Sequence, residues 1–157
     1  MPRVRDQQRS KVYKWESIHA DTLEMGAPTM TLEECKTLAH KAITWWFRLK
    51  SGKNTRPMLL PRVKKGREDT SAWADVDTIS LPEWAWTKGS VLHETAHCIV
   101  ANQGLRSKDG GHGPYFMRVY IELLGHYLKL NRPEITRSAK KSKLKVHTMS
   151  KIDRPKP

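Results

Sequence analysis

Residues 91–100 read Val91-Leu92-His93-Glu94-Thr95-Ala96-His97-Cys98-Ile99-Val100. Apolar side chains flank the polar ones on both sides, the pattern of a helix buried all round rather than of a surface helix. On such a helix, positions i and i+4 lie on one face, so His93 and His97 point the same way. Glu94 is turned about 100° from His93 and reaches the neighbouring space. Two imidazoles and a carboxylate inside an apolar helix are costly unless something partners them. One divalent ion between the two imidazoles, with Glu94 beside it, meets that need and has the spacing of the HExxH motif. The competing reading is a pair of ordinary histidines on an amphipathic helix.

This helix is expected from Trp86 or Thr87 to Gln103, with Gly104 at its C-cap. Residues 105–111 form a polar, glycine-rich loop, and Pro114 opens another helix. Phe116, Tyr120, Leu123, Leu124, Tyr127 and Leu130 give that helix an apolar stripe, and Pro133 is expected to end it. Upstream, Thr31-Leu32-Glu33-Glu34 has the form of a capping box. Cys35, Leu38, Ala42, Trp45, Trp46 and Leu49 then recur at helical spacing until Ser51-Gly52. Residues 56–63 and 72–81 read as two strands, the first restricted by Pro57 and Pro61 to an edge or to a short strand, and the turn-rich residues 64–69 suit a hairpin loop between them. Residues 3–16 are basic, and their periodicity does not decide between strand and helix. The resulting order, helix then strands then two helices, is an α+β arrangement with a short antiparallel sheet.

The chain of 157 residues is long enough for one domain with a core of its own. It contains no run of 18 apolar residues, so a transmembrane helix is not expected. The first fifteen residues lack the apolar stretch of a secretory signal. Together with two cysteines that form no CxxC pair, this points to a cytoplasmic setting in a bacterial or phage-infected cell. The formal net charge is +13, and residues 137–157 hold eight Lys or Arg against Asp153 alone. Residues 1–136 are therefore read as the folded domain and 137–157 as a basic, mobile tail. Nucleic acid is a plausible partner for that tail through phosphate neutralisation. Six tryptophans are assigned to the core, and Asp75 and Asp77 to a solvated strand face. Cys98, one position past His97, reads as buried and not as a ligand.

A catalytic zinc site needs a third protein ligand and an open position. Asp109, His112, Glu122 and His126 are the candidates. His112 is the best placed, because a glycine-rich turn separates it from His97 and it opens the stripe of Phe116 and Tyr120. Gly110, Gly111 and Gly113 permit close backbone approach there. Glu122 would make the alternative two-His, one-Glu site. His126 lies about four turns, roughly 21 Å, beyond His112 and cannot share an ion with it. With zinc bound, water loses its proton near neutral pH and Glu94 serves as general base. Tyr120 is the candidate to stabilise the oxyanion, with Tyr115 as a second choice. Residues 73–81 offer a strand edge on which an extended peptide could pair.

His93-Glu94-Thr95-Ala96-His97, followed by His112-Gly113-Pro114-Tyr115-Phe116, resembles the small HExxH zincins of the SprT-like kind. A closer resemblance is to a family of small metallohydrolases from actinobacteria and their phages. Its RDxQRxxVYxxE pattern is similar to Arg5-Asp6-Gln7-Gln8-Arg9-Ser10-Lys11-Val12-Tyr13-Lys14-Trp15-Glu16. Its aliphatic-Pro segment is similar to Ile79-Ser80-Leu81-Pro82-Glu83-Trp84. Thr95 and Trp15 depart from the residues common there, a Leu and a small side chain. The resemblance spans most of residues 3–130. It implies a small zincin-like domain with zinc held by His93, His97 and His112, Glu94 as the catalytic residue, and a protein or peptide substrate. The contrasting expectation is a nucleic-acid-binding or interaction module whose metal site is structural.

Overall fold

The computed structural model describes residues 6–50, 59–103 and 111–148. Its order is α1 (Arg9–Ile18), α2 (Leu32–Lys50), β1 (Arg62–Lys65), β2 (Trp73–Ala74), β3 (Thr78–Leu81), a 3₁₀ turn (Glu83–Ala85), α3 (Lys88–Asn102), α4 (Pro114–Tyr127) and α5 (Arg132–Lys141). The α+β expectation holds. Among the described residues, no helix is long and apolar enough to cross a membrane.

The first residues of the description settle as helix, with Val12 and Trp15 fully buried. At the start of α2 the capping box is realised in both directions. The Glu34 N–H donates to Thr31 Oγ1 at 3.2 Å, and the Thr31 N–H donates to Glu34 Oε1 at 3.1 Å. Thr87 caps α3, accepting from the Ser90 N–H. α3 is the centre of the molecule. Every residue from Val91 to Val100 is buried, and the helix packs on α2, on α4 and on β2 and β3. Gly89 permits this arrangement: a Cβ there would lie 2.0 Å from the Leu23 carbonyl oxygen.

The sheet differs from the expected antiparallel one. Its strand order is β1-β3-β2, with β1 parallel to β3 and β2 antiparallel to it. Residues 64–69 therefore do not form a hairpin loop; the chain passes from one sheet edge to the other. The single strand expected over residues 72–81 is two, because Asp75 reverses the chain. Its Oδ1 accepts from the N–H groups of Asp77 and Thr78 at 3.1 and 2.9 Å, so the acids read as a solvated strand face are a turn. β1 begins directly after Pro61 and sits at an edge, as a proline requires.

Pro133 does not end α4, which stops at Tyr127; it lies in the first turn of α5. Asn131 caps that helix, accepting from the Glu134 N–H at 3.0 Å. α5 ends in a Schellman motif. The Lys143 N–H bonds to the Lys140 carbonyl and the Leu144 N–H to the Ala139 carbonyl, with Lys143 at φ 64°. Ala139 and Leu144 are buried. The domain boundary at 136 and the mobile tail from 137 are thus replaced by a packed segment reaching residue 148. Residues 149–157 lie outside the described part.

Candidate metal centre

His93 and His97 project from the middle of α3, where the helical ladder fixes their backbone. His112 stands two residues before α4, whose N-cap is Gly113. All three side chains are buried, in a helix pair that packs apolar surface around them. Their Nε2 atoms converge: His93 to His97 is 3.2 Å, His93 to His112 is 3.2 Å, and His97 to His112 is 3.1 Å. Zinc–nitrogen bonds of 2.0–2.1 Å in a tetrahedron place nitrogens about 3.3 Å apart. The three rings hold that spacing already.

For His93 and His112 the opposite ring nitrogens show what Nε2 carries. His93 Nδ1 lies 2.5 Å from Glu16 Oε2, and His112 Nδ1 lies 2.6 Å from Asp6 Oδ2. A carboxylate only accepts, so each Nδ1 bears the proton and each facing Nε2 presents a lone pair in the neutral ring. Lone pairs converging in a buried space repel one another, and a cation among them removes that repulsion. The residues fit a divalent ion on this ground. Imidazole donors suit zinc and several other first-row metals.

Glu16 is supported in turn. The Tyr120 hydroxyl donates to the same Oε2 at 2.7 Å. Burial alone would raise the Glu16 carboxyl, but the His93 ring and the Tyr120 hydrogen bond outweigh it and hold it below its ordinary value. Burial likewise opposes charge on His93, and Glu16 overcomes it, so His93 is more basic than a free imidazole. Burial and the neighbouring His93 depress His112, against the pull of Asp6. Burial and the Glu16 charge push Tyr120 well above the usual phenol range. Aromatic rings complete the enclosure. Phe116 stacks on His97 at 4.3 Å, and Tyr13 lies parallel to His93 at 6.0 Å.

Glu94 Oε1 lies 4.0 Å from His93 Nε2. It borders a cleft of about 490 Å³, whose walls include Arg9, Tyr13, Ala72, Trp84 and His93. The carboxylate is thus beside the nitrogen cluster and faces an opening, the position the sequence assigned to it.

Tyr120, the expected oxyanion stabiliser, lies on the Nδ1 side of His93, away from the Nε2 cluster. It is fully buried and its hydroxyl is committed to Glu16, behind His93. The Tyr115 ring packs 5.4 Å from that of His147. Glu122 pairs with Arg118 at 3.4 Å and with Arg132 at 2.8 Å, outside the cluster. His126 stacks on Trp45 at 4.1 Å. Asp109 and Gly110 lie outside the described residues. Gly111 does admit a close neighbour: a Cβ there would stand 3.0 Å from Asp6 Oδ2. Cys98 is buried, with Sγ 3.7 Å from the Val76 carbonyl. Of residues 73–81, β3 is central, paired along its length with β1 and at Ile79 and Ser80 with β2, so β2 presents the edge.

Sequence reasoning missed the roles of Asp6, Gln8, Tyr13 and Glu16. The signal was present, since Tyr13 and Glu16 lie one turn apart on α1 and the 5–16 pattern carried the resemblance. Nothing local to that pattern says which histidine each acid meets. The chain matches no protein-family model, no curated protein and no solved structure.

Proposed function

We propose that the protein is a metal-dependent hydrolase, most plainly a zinc metallopeptidase, with His93, His97 and His112 as ligands and Glu94 as general base. The observation that carries this reading is the convergence of three Nε2 atoms within 3.2 Å of one another beside a carboxylate at a cleft. Among the described residues three protein ligands leave a fourth position, as catalytic zinc sites do and closed structural sites do not. The order of sheet, motif helix and third-ligand helix supports a zincin-like architecture.

A bound divalent ion would supply Lewis acidity, bringing a water's proton into the range of a carboxylate and polarising a carbonyl. Glu94 takes the proton from the attacking water and passes it to the leaving amine. Glu16 and Asp6 hold the His93 and His112 tautomers so that both Nε2 atoms stay unprotonated toward the centre. Tyr120 holds Glu16, so it is a positioning residue, and the oxyanion role read from its sequence position is not proposed. Ala72, in the cleft wall, precedes edge strand β2, which supports an extended peptide as substrate.

The test is Glu94→Gln in the full-length protein, assayed on a peptide library with and without a chelator. Hydrolysis should fall at least about 10²-fold, the lower end for losing a general base, while metal content is unchanged. Undiminished hydrolysis in that variant would refute the assignment.

A further inference from the structure

We infer that Gln8 is a positioning residue for the third metal ligand, holding His112 by tying it to a C-terminal strap over residues 143–148. This inference rests on the metal-binding reading above.

His93 and His97 inherit their places from the interior of a helix. His112 does not, because it precedes the N-cap of α4 and lies outside the helical ladder. Side chains from the far end of the chain hold its backbone instead. The His112 N–H donates to Asp6 Oδ1 at 3.3 Å, and its carbonyl accepts from Gln8 Nε2 at 2.9 Å. Asp6 also grips the ring nitrogen, so His112 is fixed at ring, N–H and carbonyl by two residues of one short segment.

Gln8 is itself buried, and both its amide N–H groups and its oxygen are engaged. Besides His112, Nε2 donates to the Lys145 carbonyl at 3.2 Å, and Oε1 accepts from the Lys145 N–H at 2.6 Å. The side-chain amide pairs with the Lys145 backbone much as one strand pairs with another. Two further bonds lay this strap over the start of α4. The His147 N–H donates to the Pro114 carbonyl at 2.9 Å, and Arg118 Nε donates to the His147 carbonyl at 2.8 Å. Leu144 anchors the strap in the core. The amide therefore joins three separated pieces of chain, and the piece that moves when it is lost is the one carrying a ligand. A displacement of His112 by a fraction of an ångström spoils the tetrahedral spacing, and ion affinity is where the loss registers.

The experiment measures zinc affinity by chelator competition, and the visible band of the cobalt-substituted protein, at a temperature where circular dichroism shows every variant folded. Gln8→Ala should weaken zinc binding about 10–100-fold, the range for partners behind metal ligands, and lower the intensity of the cobalt band. Lys145→Pro deletes the N–H that Gln8 accepts without touching Gln8 or His112. It should weaken binding in the same direction, and it serves if Gln8→Ala does not fold. Ser138→Ala, which removes the partner of the Trp15 indole N–H and no bond to Gln8 or His112, should leave affinity within about twofold while lowering stability. Zinc affinity within twofold of the unmodified protein in both Gln8→Ala and Lys145→Pro would overturn the inference. A loss equal to theirs in Ser138→Ala would also overturn it. No zinc binding by the unmodified protein would instead remove the metal-binding reading beneath it.

Discussion

Glu16 stands 77 positions from His93 in the chain, yet the two share the shortest polar contact at the site. Its charge sets the proton on Nδ1 and leaves Nε2 free to donate electrons to an ion. Glu16→Gln keeps an oxygen acceptor and removes the charge. It should weaken zinc binding about tenfold, and Glu16→Ala toward 100-fold, in the same chelator competition. Residue-level chemistry also makes a prediction away from the site. Burial and the nearby Glu34 push the Cys35 thiol up to about 11. Thiolate is the reactive form, so iodoacetamide at pH 8 should leave Cys35 unmodified in the native protein and label it in denaturant. Because the folded value is the higher one, the thiol's contribution to stability is complete below the unfolded value near 9. It is lost as pH rises through 11. The three histidines and Glu94 were legible because their chemistry is packed into one helical spacing and one helix start. Asp6 and Glu16 were not, since a carboxylate in a basic, amphipathic stretch looks the same whether it faces water or an imidazole.

Helices α2, α3 and α4 could be read from periodicity and caps, which act over a few residues. The sheet could not. Residues 72–81 alternate well enough to pass for one strand, and only the Asp75 side chain closing on Asp77 and Thr78 splits them. α5 was concealed by its charge. Asn131, Pro133 and Glu134 give a sound helix start, and Ile135 and Ala139 an i,i+4 apolar pair, but the lysines and arginines around them suggested a solvated tail. Two substitutions test the packing of these elements. Gly89→Ala places a methyl against the Leu23 carbonyl and should destabilise the protein by about 2–3 kcal/mol in urea unfolding. Lys143→Gly should stabilise it by roughly 0.5–1 kcal/mol, because Lys143 occupies the left-handed C′ position that glycine fills without a Cβ penalty.

Across the whole molecule, both ends of the described chain meet at the histidine cluster. α1 supplies the partner of His93, residues 6 and 8 hold His112, and the strap after α5 closes over them. A site assembled from such distant segments exists only in the folded protein, so an ion bound there would stabilise the fold. At zinc concentrations about 1,000-fold above Kd, linkage gives about 4 kcal/mol, or roughly 8–16 °C in Tm for a chain of this size. A chelator should reverse that shift in differential scanning calorimetry, and His112→Ala should abolish most of it. The most direct measurement of the central claim is zinc X-ray absorption on the full-length protein loaded with one equivalent of metal. The account predicts three imidazole nitrogens and one oxygen at about 2.0–2.1 Å. Sulfur in the first coordination sphere, or a metal that fails to bind with one-to-one stoichiometry, would contradict it.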